Sequence, residues 1–140
     1  MRIMCLDIGE KRIGVAISDP LGITAQGLDV IHRTDFKKDL RKIRSFIDDY
    51  QVEELILGLP LNMDGTKGEK AQEVLHLQSL LAEKMPVPVN TWDERLTTVA
   101  ARRVLLDGDV TRKGRKKVID KLAAVLILDN YLRYKSGTGR

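Results

Sequence analysis

The sequence predicts an α/β fold: a five-stranded mixed sheet, three antiparallel strands followed by two parallel ones, flanked by helices. Three observations predict it. Two strand-like apolar runs, residues 2–8 and 13–18, stand on either side of the short polar turn Gly9-Glu10-Lys11-Arg12, which is a hairpin pattern. Two later apolar runs, residues 55–59 and 87–94, each follow a helical pattern, and strands separated by helices pair in parallel through right-handed crossovers. At 140 residues, 43% hydrophobic and 31% charged, the chain has the size and make-up of one globular domain. Such a chain buries roughly 68–70% of its unfolded surface and needs no disulfide or metal staple to fold.

The elements follow in order. A third extended run is expected around residues 25–32, after the break at Pro20 and Gly22. Phe36, Leu40, Ile43, Ile47 and Tyr50 then recur at spacings of three and four, with charges between them, which is an amphipathic helix. Asp35 suits its N-cap. Leu55-Ile56-Leu57-Gly58-Leu59 is a buried strand ended by Pro60. Residues 60–68 carry Gly, Pro, Asn and Asp and read as a loop. A second helix presents Ala71, Val74, Leu77, Leu80, Leu81 and Ala82 and stops at Pro86. Val87 to Glu94 is the fifth strand, with Pro88 among its first residues. A third helix is expected over 96–106, then a polar, flexible, basic stretch from Gly108 to Lys117. A last helix runs from about 118 to 134 on Leu122, Val125, Leu126 and Leu132. Residues 1–135 form one domain in this reading and 136–140 a frayed tail.

Composition excludes several classes. No apolar run approaches the roughly 20 residues of a membrane span, and no signal-peptide pattern opens the chain, so a cytoplasmic, non-membrane protein is expected. The single cysteine, Cys5, excludes an intrachain disulfide and a cysteine zinc cluster. It reads as a small buried apolar residue. His32 and His76 have no metal spacing. The formal charge of +4 is unevenly placed. Residues 107–140 hold nine Lys/Arg and four Asp/Glu, whereas residues 1–106 hold fifteen and sixteen. A local polyanion, nucleic acid first, is the partner this asymmetry suggests; a solvated tail is the plain alternative.

Three acids stand out. Asp7 ends an apolar strand on the face of Ile3 and Cys5, and a buried carboxylate needs a cation or donors; capping the hairpin is the alternative. Glu94 closes the fifth strand, and the carboxyl ends of parallel strands are where α/β sheets bind ligands; a dipole-favoured acid at a helix start is the alternative. Asp120 lies in the first turn of the last helix, before Ala123 and Ala124, whose small side chains allow close approach to the sheet. Its alternative is again the dipole. Convergent carboxylates are the ligand set of Mg²⁺ or Mn²⁺, and paired ions cleave phosphodiesters. Spacing alone leaves open whether the three meet.

Four motifs occur in order: Asp7-Ile8-Gly9-x-x-Arg12-Ile13-Gly14-Val15-Ala16, Gly58-Leu59-Pro60-x-x-Met63-Asp64-Gly65, Asp93-Glu94-Arg95-Leu96-Thr97-Thr98 and Asp120-Lys121-Leu122-Ala123-Ala124. Together they resemble the YqgF family, also called RuvX, the pre-16S rRNA nuclease and Holliday-junction-resolvase-like proteins. The resemblance covers nearly the whole chain. It implies an RNase H-like fold, a catalytic and metal-binding carboxylate site at Asp7, Glu94 and Asp120 with one or two Mg²⁺ or Mn²⁺ ions, and hydrolysis at the 5′ end of pre-16S rRNA in ribosome biogenesis. The similar RuvC resolvases carry a fourth carboxylate one turn further along the last helix, where this chain has Ala123 and Ala124.

Nucleic-acid contacts are expected from Arg12, Arg95, Arg112, Lys113, Arg115, Lys116, Lys117 and Lys121. Arginine grips phosphate bidentately, and a basic run follows a phosphate backbone; for Arg12 and Arg95, pairing with neighbouring acids is the alternative. Trp92 suits a core position better than base stacking. The expected partner is structured pre-rRNA, with branched DNA as the alternative, bound by a monomer or weak homodimer. Two other classes compete: a non-catalytic RNA-binding assembly or transcription factor, and a nucleotide phosphotransferase, since Asp7-Ile8-Gly9 also resembles the phosphate loop of actin-like ATPases.

Overall fold

In the computed structural model the described residues are 1–97 and 113–137, with side chains described for 1–97 and 121–137. The elements are β1 (Ile3–Ile8), β2 (Arg12–Ser18), β3 (Ala25–His32), α1 (Phe36–Tyr50), β4 (Glu54–Leu59), α2 (Glu69–Lys84), β5 (Val89–Asp93), a 3₁₀ turn (Glu94–Leu96) and α3 (Lys113–Ser136). The sheet order is β3-β2-β1-β4-β5. Strands β1, β2 and β3 pair antiparallel, whereas β1–β4 and β4–β5 pair parallel. The five-stranded mixed sheet read from the sequence is the sheet observed.

Side-chain alternation divides the core. Met4, Leu6 and Ile8 of β1 face one way and pack with Ile43 and Ile47 of α1 and Val74 and Leu81 of α2. Ile3 and Cys5 face the other way and pack with Ala123, Ala124, Ile127, Leu128 and Leu132 of α3. A strand buried on both faces carries continuous apolar sequence, as β1 and β4 do. The Asp35 side chain caps α1 by accepting from Lys38 N at 2.9 Å.

Three boundaries differ from expectation. Helix α3 begins at Lys113, not near 118. Arg115, Lys116 and Lys117 therefore lie on a helix rather than in a flexible stretch. Lys and Arg are good helix formers, and one glycine at 114 costs only about 1 kcal/mol. The buried seam of α3 is Ala123, Ala124, Ile127, Leu128 and Leu132, with Val125 and Leu126 at its margin. Strand β5 starts at Val89 because Pro88 has no N–H to give a ladder; its carbonyl instead accepts from Leu55 N at 3.0 Å. Glu94 lies just past the strand because Asp93 accepts from Arg95 N at 2.9 Å and starts the 3₁₀ turn. The helix expected over 96–106 falls mostly on residues 98–112, outside the described residues. Among the described residues no helix is long and apolar enough to cross a membrane.

Candidate active site

The ends of β1, β4 and β5 bring two acids together. Asp7 follows Cys5 by two residues and shares its face, toward α3. The β1–β4 register pairs Leu6 with Leu57, so one further step sets Asp7 beside Gly58. Gly58 pairs with Trp92 of β5, and Glu94 follows two residues later. A Cβ at position 58 would stand 3.2 Å from Glu94 Cγ, 3.3 Å from its Cδ and 2.6 Å from Ile127 Cδ1. The glycine thus leaves the room that Glu94 occupies between the sheet and α3.

Both acids are buried, Asp7 to 2% and Glu94 to 6% exposure. Cys5, two residues before Asp7 on the same face, is fully buried in the α3-side core. Burial pushes its thiol well up from the ordinary range, and the charges of Asp7 and Glu94 push it further in the same direction. The site's donors are hard oxygens, which fit Mg²⁺ or Mn²⁺ and suit no soft metal. Asp120 lies on α3, one turn before Ala124, and its side chain is outside those described. Ala123 and Ala124 are buried against Ile3, Cys5 and Ala16, giving the close approach of α3 expected from their size.

Arg95 has a specific role in the geometry. Its guanidinium grips the Asp93 carboxylate, with Nη2 at 2.8 Å from Oδ2 and Nε at 3.2 and 3.1 Å from the two oxygens. Its Nη1 reaches the Met63 carbonyl at 3.4 Å. The hydrogen bonds from Arg95 hold Asp93 below the usual carboxylate range against the opposing effect of its partial burial. Arg95 therefore ties the 60–68 loop to the end of β5. Gly65, at φ +87°, faces the guanidinium in a left-handed conformation suited to glycine. Thr66 donates to Asp64 from both its backbone N and its hydroxyl and lowers the Asp64 carboxyl.

The other expected contacts separate by position. Arg12 is half-buried at the start of β2, opposite His32. Lys121 lays its aliphatic stem across Gly27 of β3, where a Cβ would approach its Cγ and Cε to 2.8 Å. Arg112 and the side chains of Lys113, Arg115, Lys116 and Lys117 are outside those described. Trp92 sits against α3, edge-on to Tyr131 and Tyr134 with 5.1 Å between centroids in each pair. Its Nε1 donates to Asn130 at 2.8 Å. That is the packing role expected of it.

One polar cluster escaped the sequence reading. Glu54, 4% exposed at the start of β4, accepts from the Tyr131 hydroxyl at 2.5 Å, Lys135 Nζ at 3.0 Å and Asn90 Nδ2 at 3.2 Å. Burial opposes its charge, but these donors outweigh burial and set its carboxyl below the ordinary value. Burial first and the Glu54 contact second raise the Tyr131 phenol. The cluster lies at the opposite end of β4 from Gly58 and clamps the last turns of α3 to the sheet. The signal was present in principle: an acid immediately before an apolar strand, Glu54-Leu55-Ile56.

The comparisons agree with this architecture. Residues 1–134 match the family RuvX, described as Holliday junction resolvase. A protein of Desulforamulus reducens is 53% identical over 132 residues, covering 94% of this chain and 96% of that protein. One of Halothermothrix orenii is 54% identical over 136 residues, covering 97% of each. Both carry the provisional name pre-16S rRNA nuclease. Among solved structures, Thermus thermophilus RuvC bound to a Holliday junction substrate superposes with a TM-score of 0.56 at 15% identity, over 99% of this chain and 97% of that one. The same protein alone gives 0.53 at 14% identity, over 99% and 98%. The shared fold is that of RuvC, the RNase H-like fold expected. The match over 134 of 140 residues, together with relatives at half identity across nearly their full length, places this chain in the RuvX family.

Proposed function

We propose that this protein is a metal-dependent nuclease that hydrolyses phosphodiester bonds of structured RNA, in processing the 5′ end of pre-16S rRNA. The observation that carries the reading is the placement of Asp7 and Glu94: two buried carboxylates at the carboxyl ends of β1 and β5, on either side of Gly58 of the intervening strand β4. The names of the half-identical relatives supply the substrate class. Asp7, Glu94 and, from α3, Asp120 would hold Mg²⁺ or Mn²⁺, as one ion or as the pair of a two-metal site. The chemistry such an ion would supply when bound is activation of water as a nucleophile and neutralisation of charge on the phosphoryl oxygens. The protein's own contribution is to keep the acids close and shielded from solvent. Cys5 and Ile127 pack in the core on the α3 side, and the Ala123–Ala124 seam lets α3 cover the sheet. Arg12, Lys121 and the basic start of α3 would hold substrate phosphates.

Cleavage assays on a precursor carrying the 5′ leader, with Mg²⁺ or Mn²⁺, test this. Asp7→Asn and Glu94→Gln are expected to reduce cleavage to background while leaving the fold intact. Undiminished cleavage by both variants would overturn the reading. A four-way DNA junction serves as the parallel substrate, and cleavage of the junction alone would reassign the enzyme to branched DNA, as the family description and the junction-bound RuvC structure suggest.

A further inference from the structure

We propose that the groove between β3 and α1 is a second binding site for the phosphate backbone of the RNA substrate, with Arg41 and Lys42 as its phosphate ligands. This rests on the reading that the substrate is RNA. The groove encloses roughly 390 Å³ and is lined by Arg41, Lys42, Ser45 and Phe46 of α1 and by Asp29 of β3. Residues 33–44 hold six Lys/Arg and two Asp/Glu. Most of the neighbouring cations are already engaged. Arg33 donates to the Gly9 carbonyl at 2.7 Å and lies 3.7 Å from Glu73. Lys38 pairs with Asp35, and Arg44 with Asp48. Among the described residues Arg41 and Lys42 have no such acid partner, and both are exposed at the groove.

The rest of the lining suits the same ligand. Phe46 is half-buried and gives an apolar floor for a sugar or base. Asp29 is the one acid there, and its Oδ1 already accepts from Val30 N at 2.7 Å. That bond also occupies an N–H of β3, the edge strand, and so disfavours strand addition by a peptide. The Ser45 hydroxyl donates to Asp49 at 3.4 Å.

Topology connects the groove to the acids. Both β1–β2 and β2–β3 are antiparallel, so β1 and β3 point to the same end of the sheet. Helix α1 starts four residues after His32, and Arg33 bonds the β1–β2 turn two residues beyond Asp7. Arg41 lies five residues into α1, about 8 Å along its axis. A strand leaving the carboxylate end would pass over the Gly9–Lys11 turn to reach the groove, which lies on the sheet face opposite α3.

The test is the paired variant Arg41→Glu/Lys42→Glu, with Arg41→Gln/Lys42→Gln as the milder form. Affinity for the labelled 5′ leader RNA is read by fluorescence anisotropy in EDTA across a salt series. Loss of the two contacts is expected to weaken binding at least tenfold and to flatten the log–log salt dependence by about 1.4. In cleavage, KM should rise with kcat unchanged, and melting temperature should not move. Unchanged affinity and salt slope in both variants would overturn the site. If the wild-type chain cleaves no RNA while the variants still lose affinity, the groove stands and the nuclease reading falls. If cleavage is normal and the variants bind like wild type, the groove alone falls.

Discussion

The Glu94 side chain lies over Gly58, the β4 residue beside Asp7, with 3.2 Å between Glu94 Cγ and the point where a methyl would sit. On its other side that methyl would meet Ile127 Cδ1 at 2.6 Å. Alanine at 58 must therefore displace the acid, the helix or both. Ile127 is fully buried in the α3 seam, so Glu94 is the member with more freedom to yield. Gly58→Ala is expected to destabilise by about 1–3 kcal/mol, the usual range for overpacking. Its loss of cleavage should exceed what lost stability explains at a temperature where the variant is fully folded. Thermal melts with steady-state cleavage rates check this; near-normal kcat in the folded variant would show that Glu94 need not lie over position 58.

Arg95 leads to a different expectation. Its guanidinium is committed to Asp93 and to the Met63 carbonyl, so its removal should loosen a loop more than it weakens binding. The pair is solvent-exposed, and such pairs contribute little to stability. Arg95→Ala should leave the melting temperature nearly unchanged. Amide exchange in residues 62–66 should accelerate. The salt slope of RNA binding should stay as in wild type. A slope reduced by about one phosphate contact would instead place Arg95 among the substrate ligands.

The fold was largely legible because its signals are short-range. Period two in β1 and β2, the turn at Gly9, the 3.6-residue pattern of α1 and the position of Pro60 each act over a few residues. What was hidden depends on contacts distant in sequence. Glu54 meets Tyr131 and Lys135 across 77 and 81 residues, and no local pattern announces that. The start of α3 was misplaced because a basic, glycine-containing run has the composition of a loop while its residues also tolerate helix. The charge balance averages over long stretches. Residues 1–106 sum to nearly zero and so concealed the basic stretch at 33–44, which topology then sets beside a groove. For the acids, sequence named Asp7 and Glu94, but Gly58 between them became meaningful only once the β1–β4–β5 register was known.

Glu54 gives a pH prediction whose sign follows from its donors. Its carboxyl lies below the ordinary 4.5 because the bonds from Tyr131, Lys135 and Asn90 outweigh burial. A folded pKa below the unfolded one contributes stability that is present above the unfolded value. That stability is lost as pH falls through the folded value. Wild-type stability should therefore drop below about pH 4.5 partly through this cluster, and Glu54→Gln should show a shallower acid limb. At neutral pH the variant should be less stable by about 1–3 kcal/mol, because a buried hydroxyl and ammonium lose a charged acceptor. Urea titrations between pH 3 and 7 measure both. Parallel wild-type and Glu54→Gln curves would show that the cluster does not stabilise through charge.

Gly9 tests how rigidly the turn beyond Asp7 is built. Its N–H donates to the Arg12 carbonyl at 2.8 Å, and a Cβ there would stand 2.5 Å from that same oxygen. The obstacle is backbone, unlike the side chains around Gly58, and Arg12 is held in the β2 ladder opposite His32. The turn cannot relax by a rotamer change, so Gly9→Ala must part the strand ends or tilt the peptide after Asp7. A backbone strain of this kind costs about 1–3 kcal/mol. Because the end of β1 moves with it, Asp7 should shift relative to Glu94. Cleavage by the folded variant should then fall by tenfold or more without a change in RNA affinity measured in EDTA. Equal losses of affinity and cleavage would instead show that the turn contacts the substrate itself.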